Sequence, residues 1–268
     1  MGKNLIGISA KISGGKDTFF NIIQKKVNNI YENKKFAWKL KEIAEKLTGT
    51  PAYDFEKEDV KNSYLPEEWN YLDKNGNECK MTCREFMQKL GTDGLRDGLH
   101  KNVWVNSLFS DYKITNKYKL LTYDVIHFPE NQYLKYPNWC ISDVRFTNEA
   151  DAIKKRGGII IRLNRDFTWS QFCNTFGLIE PIAPPTKFST DKNPTLFYGE
   201  YLKNIHSTSE EIQTALKKIF HSSETSLDNY SEFDYVIENN GTVEDYEKKI
   251  DECLKYFEIN LENASILQ

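Results

Sequence analysis

Short apolar runs alternate with longer stretches of helical spacing along this chain, a rhythm that predicts strands and helices in turn. Asn4 to Ser9 reads as a strand that runs into a glycine-bearing turn. Asp17 to Tyr31 follows as a helix, with Phe19, Phe20, Ile22, Ile23, Val27 and Ile30 on a broad apolar face. Lys39 to Leu47 is a second helix, stopped by Gly49 and Pro51. Ala52 to Met81 is polar and carries the Asn75–Gly76 turn signal, so it predicts a loop-rich excursion with short helices. Thr82 to Leu90 is helical, with Thr82 and Glu85 in capping-box spacing, and Gly94 to Ser110 predicts another helix. Trp139 to Ser142 and the β-branched Ile159 to Leu163 read as strands on either side of a helix from Asn148 to Arg156, which Gly157–Gly158 stops. Ser207 to Phe220 is a helix with a Ser207/Glu210 cap, Phe233 to Glu238 a last strand, and Thr242 to Phe257 an amphipathic helix. Val243, Tyr246, Ile250, Cys253, Leu254 and Phe257 share the apolar face of that last helix. Residues 166–205 break the rhythm with Pro181, Pro184, Pro185 and Pro194 and read as an insertion. No pattern continues beyond Ile259.

Strand–helix alternation predicts an α/β layered sheet. At 268 residues, one large domain or two small ones fit a prior of about 150 residues per domain. The net charge of −3 lacks the basic excess of a surface that grips nucleic acid, so direct nucleic-acid binding is not expected and an anionic ligand must be met by a few placed cations. No apolar run reaches the ~20 residues that span a bilayer, so no membrane partner is expected. Five cysteines at irregular spacings, with no leader-like segment, predict reduced thiols and a cytoplasmic location. Cys79 and Cys83 have the look of half a zinc site, but no second Cys or His pair stands at a matching spacing.

The chemistry centres on AKISGGKDT, Ala10 to Thr18, between the first strand and the first helix. Glycines let backbone N–H groups curl around one anion, and the helix N-terminus adds its positive dipole end. Ser13, Gly14 and Gly15 would line such a cradle, Lys16 would reach the outer phosphates of a triphosphate, and Asp17 or Thr18 would hold Mg2+ directly or through water. Against the G-x-x-x-x-G-K-[ST] pattern, Ala10 replaces the first glycine and Asp17 the Ser or Thr. The competing reading is an ordinary glycine-rich turn.

Three further groups carry chemistry. Arg84 and Gln88 share a helix face, followed by Gly91, Thr92, Arg96 and Trp104. A guanidinium fork suits phosphate, an amide suits a base edge and an indole suits stacking, whereas the plain alternative is a solvated helix and turn. Asp143 closes the WCISD run, with Arg145 and Glu149 just beyond, where open α/β sheets bind ligands. It would orient Mg2+ through water or accept a substrate hydroxyl, or simply cap the next helix, for which Asn148 is better placed. Arg162 and Arg165, where the third strand meets the insertion, would stabilise charge on a moving phosphoryl group, or be two solvated arginines. His100, His127 and His206 read as structural or surface residues.

Five stretches in order, SGGKDT, REFMQKLGTD, ISDVRFTNEADAIKKRGG, HSSETSLD and DYVIENNGTVEDY, resemble the deoxynucleoside monophosphate kinase family of phages and large DNA viruses. The resemblance implies a P-loop NTPase-like three-layer αβα fold with a central, mostly parallel sheet. It implies one domain over residues 1–268, with a substrate-binding insertion at about 50–110 and a lid-like insertion at about 166–205. It implies transfer of the γ-phosphoryl of ATP, with Mg2+, to a deoxynucleoside 5'-monophosphate. Lys16, Asp17 and Thr18 then serve the phosphates and metal, and Arg84, Gln88, Gly91, Thr92, Trp104 and Asp143 line the monophosphate site. Lys11, Arg96, Arg145 and Glu149 are grouped with that acceptor site, and Asn239, Asn240, Gly241 and Thr242 with the loop bordering the adenine. Glu85 stands where a second basic residue belongs.

Two other classes compete: a P-loop kinase for a non-nucleotide phosphorylated metabolite, and a P-loop ATPase or nucleotide-binding protein without kinase activity. An N-K-x-D guanine-reading motif is absent, and Val144, not a water-activating glutamate, follows Asp143. A second copy of the chain is the other candidate partner.

Overall fold

The computed structural model describes residues 4–28, 30–116, 134–178, 194–204 and 209–259. His127, Pro181, Pro184, Pro185, His206, Ser207 and the tail beyond Ile259, all named above, lie outside those residues. The chain divides into two units, Met1–Asn33 with Asn138–Gln268, and Lys34–Pro137.

The first unit is built on a five-stranded sheet. Strand β1 (Leu5–Ala10) lies between β7 (Trp139–Ile141) and β8 (Ile159–Asn164); β9 (Tyr235–Glu238) lies beyond β8 and β2 (Glu32–Lys34) beyond β7. The β1–β7, β1–β8 and β8–β9 pairings are parallel. Both faces of β1 are covered, which is why it reads as a continuous apolar run. On one face Ile6, Ile8, Cys140, Ile161, Leu163 and Ile237 pack with Phe19, Ile22 and Ile23 of α1 (Lys16–Lys26) and with Tyr246, Ile250, Cys253 and Leu254 of α11 (Val243–Tyr256). On the other face lies α6 (Thr147–Lys154), so close that a Cβ on Gly7 would come within 2.7 Å of both Ile153 and Ile160. Helix layers on both faces of a mostly parallel sheet make this an α/β, P-loop NTPase-like three-layer αβα fold, the α/β layering as the alternation implied and the three-layer form as the resemblance did.

Helix α1 stops at Lys26, short of the expected Tyr31. Asn28 takes a left-handed φ of 48°, and the Gln24 amide bonds the backbone O of Tyr31 at 2.7 Å and its N at 3.3 Å. That bond turns the chain back toward β2 and buries the Tyr31 ring. Helix α11 starts as expected, with Thr242 and Asp245 capping each other, though Val243 is exposed and the buried face begins at Tyr246. The irregular insertion condenses around its aromatics. In α7 (Trp169–Phe176) and α8 (Pro194–Asn204), Phe172, Phe176, Tyr198 and Leu202 pack with Ile212, Ala215 and Ile219 of α9 (Glu210–Ile219). The four-residue α10 (Ser222–Thr225) follows, capped by His221.

The second unit is mostly helical. Helix α2 (Ala37–Thr48), α3 (Glu58–Asn62), α4 (Cys83–Gln88) and α5 (Val103–Phe109) are joined by a β3 (Tyr71–Leu72)–β4 (Glu78–Cys79) hairpin, and β5 (Thr115–Asn116) pairs with β6 (Leu134–Lys135). Ala44, Phe55, Leu65, Cys83 and Phe86 form its core. The hairpin tip is the expected Asn75–Gly76 turn, held by Asp73 Oδ1 accepting from the N–H groups of Asn75 and Asn77 at 2.8 Å each. Thr82 caps α4 by accepting from the Glu85 N–H. Glu85 spends its carboxylate on the Tyr71 hydroxyl instead, so only half of the capping box closes.

The helix expected over Gly94 to Ser110 is broken in two. Helix α4 runs on into a wide π-helical segment, Lys89–Asp97, and α5 begins only at Val103. Gly98 N donates to Asp93 O and His100 N to Leu95 O, both over five residues. Gly91, Gly94 and Gly98 weaken the tighter α-helical alternative.

Buried Lys41 pairs with Glu56, which Lys35 also contacts at 3.2 Å. Burial works to raise the Glu56 pKa, but the two ammonium groups outweigh it and hold the carboxyl below its ordinary value. A depressed carboxyl adds stability above its unfolded pKa of 4.5 and loses it as pH falls through the lower folded value. Glu56→Gln should therefore melt below wild type at pH 7 and converge with it as the pH drops past that window. Parallel melting curves from pH 7 to 3 would show that the pair carries no such linkage.

Candidate phosphate-binding site

The chain leaves β1 at Ala10 and curls before entering α1. Ser13 has φ 58° and Gly15 φ 94°, and the Gly14 N–H donates back to Lys11 O at 3.0 Å. Gly15 is required twice over: its φ is left-handed, and a Cβ there would lie 2.5 Å from Asn239 Nδ2. A Cβ on Gly14 would meet that of Ala10 at 2.9 Å, so Ala10 in place of the first glycine is accommodated because Gly14 gives the room.

The loop is held by its carbonyls. Arg165 donates to Ser13 O, Asn239 Nδ2 to Gly14 O and the Tyr246 hydroxyl to Gly15 O, each at 3.3 Å. Burial pushes the Tyr246 phenol pKa up, which keeps it a neutral donor. With the carbonyls tied, the N–H groups of Ser13 and of Gly15 through Thr18 make no hydrogen bond among the described residues. They form a donor set at the N-terminus of an eleven-residue helix.

Charge pairing sorts the nearby cations. Lys11 Nζ lies 2.8 Å from Asp228 Oδ1, and Arg162 Nη2 lies 3.8 Å from the same oxygen. Arg162 is a buried strand residue rather than a solvated one. It donates to Ser9 Oγ at 2.8 Å and to Asn164 Oδ1 at 3.2 Å, lies over the Phe233 ring, and burial pushes its pKa down against Asp228. Arg145 pairs with Glu224, whose other oxygen accepts from Ile12 N at 2.9 Å. Among the described residues Lys16 has only Asp17 as an ion-pair partner, at 3.8 Å, and Arg165 is exposed, donating to a carbonyl and lying over the Phe167 ring with no carboxylate partner. Lys16 and Arg165 are thus the cations best placed to receive an anion.

Asp17 and Thr18 are exposed on the first turn of α1. Asp143 lies two residues beyond β7, where Val144 N donates to Ile8 O at 3.1 Å. Glu149 is buried and accepts from the N–H groups of Arg145 and Phe146, so it, rather than Asn148, caps α6. Of the loop expected to border the adenine, Asn239 braces the cradle, Asn240 bonds Asp166, Gly241 lies against Asp245 and Thr242 caps α11.

The other expected ligands belong to the second unit. Arg84 pairs with Glu58 and bonds Asn62 at 3.4 Å, and Gln88 is exposed one turn on. Gly91, Thr92 and Arg96 lie in the π-helical segment. Trp104 is buried, with its Nε1 donating to Gly91 O at 3.0 Å, so it packs and pins that segment instead of offering an open stacking face. No group of three or more His, Cys, Asp or Glu is arranged to hold a metal among the described residues, and the five cysteines are free thiols. No helix among the described residues is long and apolar enough to cross a membrane.

Sequence reasoning missed Glu224, Asp228 and Tyr246 as parts of this site. HSSETSLD carried the only signal for the acids, and it gave them no role.

The fold and this loop define a P-loop-like α/β protein whose strand-to-helix turn leaves a run of backbone N–H groups unbonded among the described residues. The chain is similar to a protein of Acanthamoeba polyphaga mimivirus named "Putative deoxynucleotide monophosphate kinase", 39% identical over 93 residues. That match takes in 31% of this chain and 39% of the length of the mimivirus protein. No protein-family model matches the chain.

Proposed function

We propose that this protein is an ATP-dependent kinase that phosphorylates a deoxynucleoside 5'-monophosphate to the diphosphate. The observation that carries the reading is the cradle: three carbonyls tied by Arg165, Asn239 and Tyr246, so that the N–H groups of Ser13 and Gly15 to Thr18 stand ready for phosphate oxygens. The residues fit a triphosphate, because two positions admit no Cβ and, among the described residues, Lys16 and Arg165 are cations at this loop without a carboxylate committed from outside it. Mg2+ would enter with the nucleotide and be met by Thr18 and Asp17, with Asp143 acting through water. When bound it would neutralise charge between the outer phosphates.

The protein's part is then positioning and charge neutralisation, with no covalent intermediate. The cradle amides hold the donor's phosphates, Lys16 reaches the outer ones, and Arg165, bonded to Ser13 O, is the exposed cation beside the group in transfer. Arg162 has the supporting part of fixing Asp228 and the end of β8. We assign the acceptor to Arg84, Gln88, Gly91, Thr92 and Arg96 of the second unit, on the resemblance of their stretch and on the name of the mimivirus relative.

The test is ADP release from MgATP by the purified protein, with each nucleoside and deoxynucleoside monophosphate added singly. Stimulation by one or more deoxy forms is the expected result. Steady release that ignores every monophosphate would make the protein an ATPase. ATP binding without release would point to another acceptor or to a binding protein.

A further inference from the structure

We propose that Glu224 is a positioning residue of the phosphate cradle and that Arg145 acts through it, as the cation that cancels its charge. The inference rests on the nucleotide-binding reading above. Glu224 is buried, with its two carboxylate oxygens spent in different directions. Oε2 accepts from the backbone N–H of Ile12, the residue just before the left-handed Ser13. Oε1 accepts from Arg145 Nη1, which also lies 3.3 Å from Ser223 Oγ.

The division of the loop's amides gives this contact its meaning. The Ile12 N–H is drawn toward Glu224 and the Gly14 N–H toward Lys11 O, while those of Ser13 and Gly15 to Thr18 are left over. Removing Ile12 from the donor set fixes where the inward run of amides begins. An anion beside a triphosphate site works against binding unless it is neutralised, and a buried carboxylate needs a charged partner in any case. Arg145 supplies that partner. His221, which caps the same short helix, bonds Ser223 through Nδ1 at 2.9 Å, and Arg162 also interacts electrostatically with Glu224. Asp228 repeats the arrangement one turn on, taking Lys11, the neighbour of Ile12. The segment 221–228 is therefore a clamp that holds the start of the cradle with carboxylates and offsets them with cations from elsewhere in the same unit.

Arg145→Met leaves Glu224 charged and unpaired beneath the cradle, whereas Glu224→Gln keeps an oxygen for Ile12 and removes the charge. The readouts are the dissociation constant of MgATP, by titration with a fluorescent ATP analogue, and the melting temperature. Arg145→Met should weaken binding about tenfold, the Glu224→Gln/Arg145→Met double variant should return to within about threefold of wild type, and Glu224→Gln alone should change little. Glu224→Ala, which strips the acceptor from Ile12, should weaken binding whether or not Arg145 is present. A double variant as weak as Arg145→Met would overturn the proposal and make Arg145 a direct nucleotide contact. Wild-type affinity in every variant would overturn it too, as passive packing. If Arg145→Met does not fold, Glu224→Ala set against Glu224→Gln decides: a loss in the alanine variant alone is the expected result, and equal affinity in the two overturns the proposal. Wild-type protein that binds ATP but ignores every monophosphate fails the acceptor reading and leaves this test standing. Wild-type protein that does not bind ATP ends both.

Discussion

Lys16→Ala should fold like the wild type and lose at least about a hundredfold in acceptor-stimulated ADP release. The fold is spared for local reasons. Lys16 opens α1, its side chain is partly exposed, and its nearest charged partner is the neighbouring Asp17 at 3.8 Å. Alanine is the best helix former, so the melting temperature should stay within about 2 °C of wild type. The activity is not spared. Lys11, Arg145 and Arg162 are already committed to Asp228 and Glu224, so none of them can take over the outer phosphates. Arg165, bonded to Ser13 O, is the substitute nearby among the described residues. The rate and the melting curve should be measured on one preparation. Near-wild-type turnover in a folded Lys16→Ala protein would remove Lys16 from the chemistry. A collapsed melting temperature would instead mean that its charge is structural.

What could be read in the sequence follows from how local each feature is. Strands β1 and β8 announce themselves because both faces are covered and every position is apolar up to Ser9 and Arg162. The cradle is legible because its glycines, lysine and helix start are consecutive. Glu224 and Asp228 were not legible: their partners Ile12 and Lys11 lie 212 and 217 residues away, and a carboxylate in a short polar segment looks like any solvated acid. Arg162 misled for the converse reason. An arginine ending an apolar run reads as exposed, yet the sheet pairs its position with Ser9 and Val236 and buries it against Phe233. In the second unit, the spacing over Gly94 to Ser110 is helical, but three nearby glycines let the chain widen into five-residue bonds. That widening leaves Gly91 O to the indole of Trp104, and only a tertiary contact shows it.

The cradle's donors and its supports thus come from different levels of the fold. The donors are backbone groups whose direction is set by two positive φ angles in a three-residue stretch. The supports are side chains from β8 and the residues just beyond it, the residue after β9, the 221–228 segment and α11. Changes to the supports that tie the loop's carbonyls should therefore act on nucleotide affinity through geometry, and changes to Lys16 through charge.

Phe19→Ala is the strongest test of that coupling. Phe19 is fully buried on α1, one turn past Lys16, and packs with Ile23 and with Tyr246, whose ring centroid lies 6.5 Å away. Deleting a buried phenylalanine ring costs about 3–5 kcal/mol through lost burial and the cavity left behind. For a chain of this size that is a fall of roughly 10 °C in melting temperature. The cavity opens beside Tyr246, whose hydroxyl bonds Gly15 O, so the variant should also bind MgATP more weakly than wild type at temperatures where it is still folded. Phe20→Ala is the matched control, because its ring is only partly buried and should cost about 1 kcal/mol. Calorimetry and ATP titration on both variants separate the outcomes. A Phe19→Ala protein that melts within about 2 °C of wild type would show that α1 is not docked on the sheet through that ring. A large melting shift with unchanged ATP affinity would mean that Tyr246 holds Gly15 without needing Phe19 behind it.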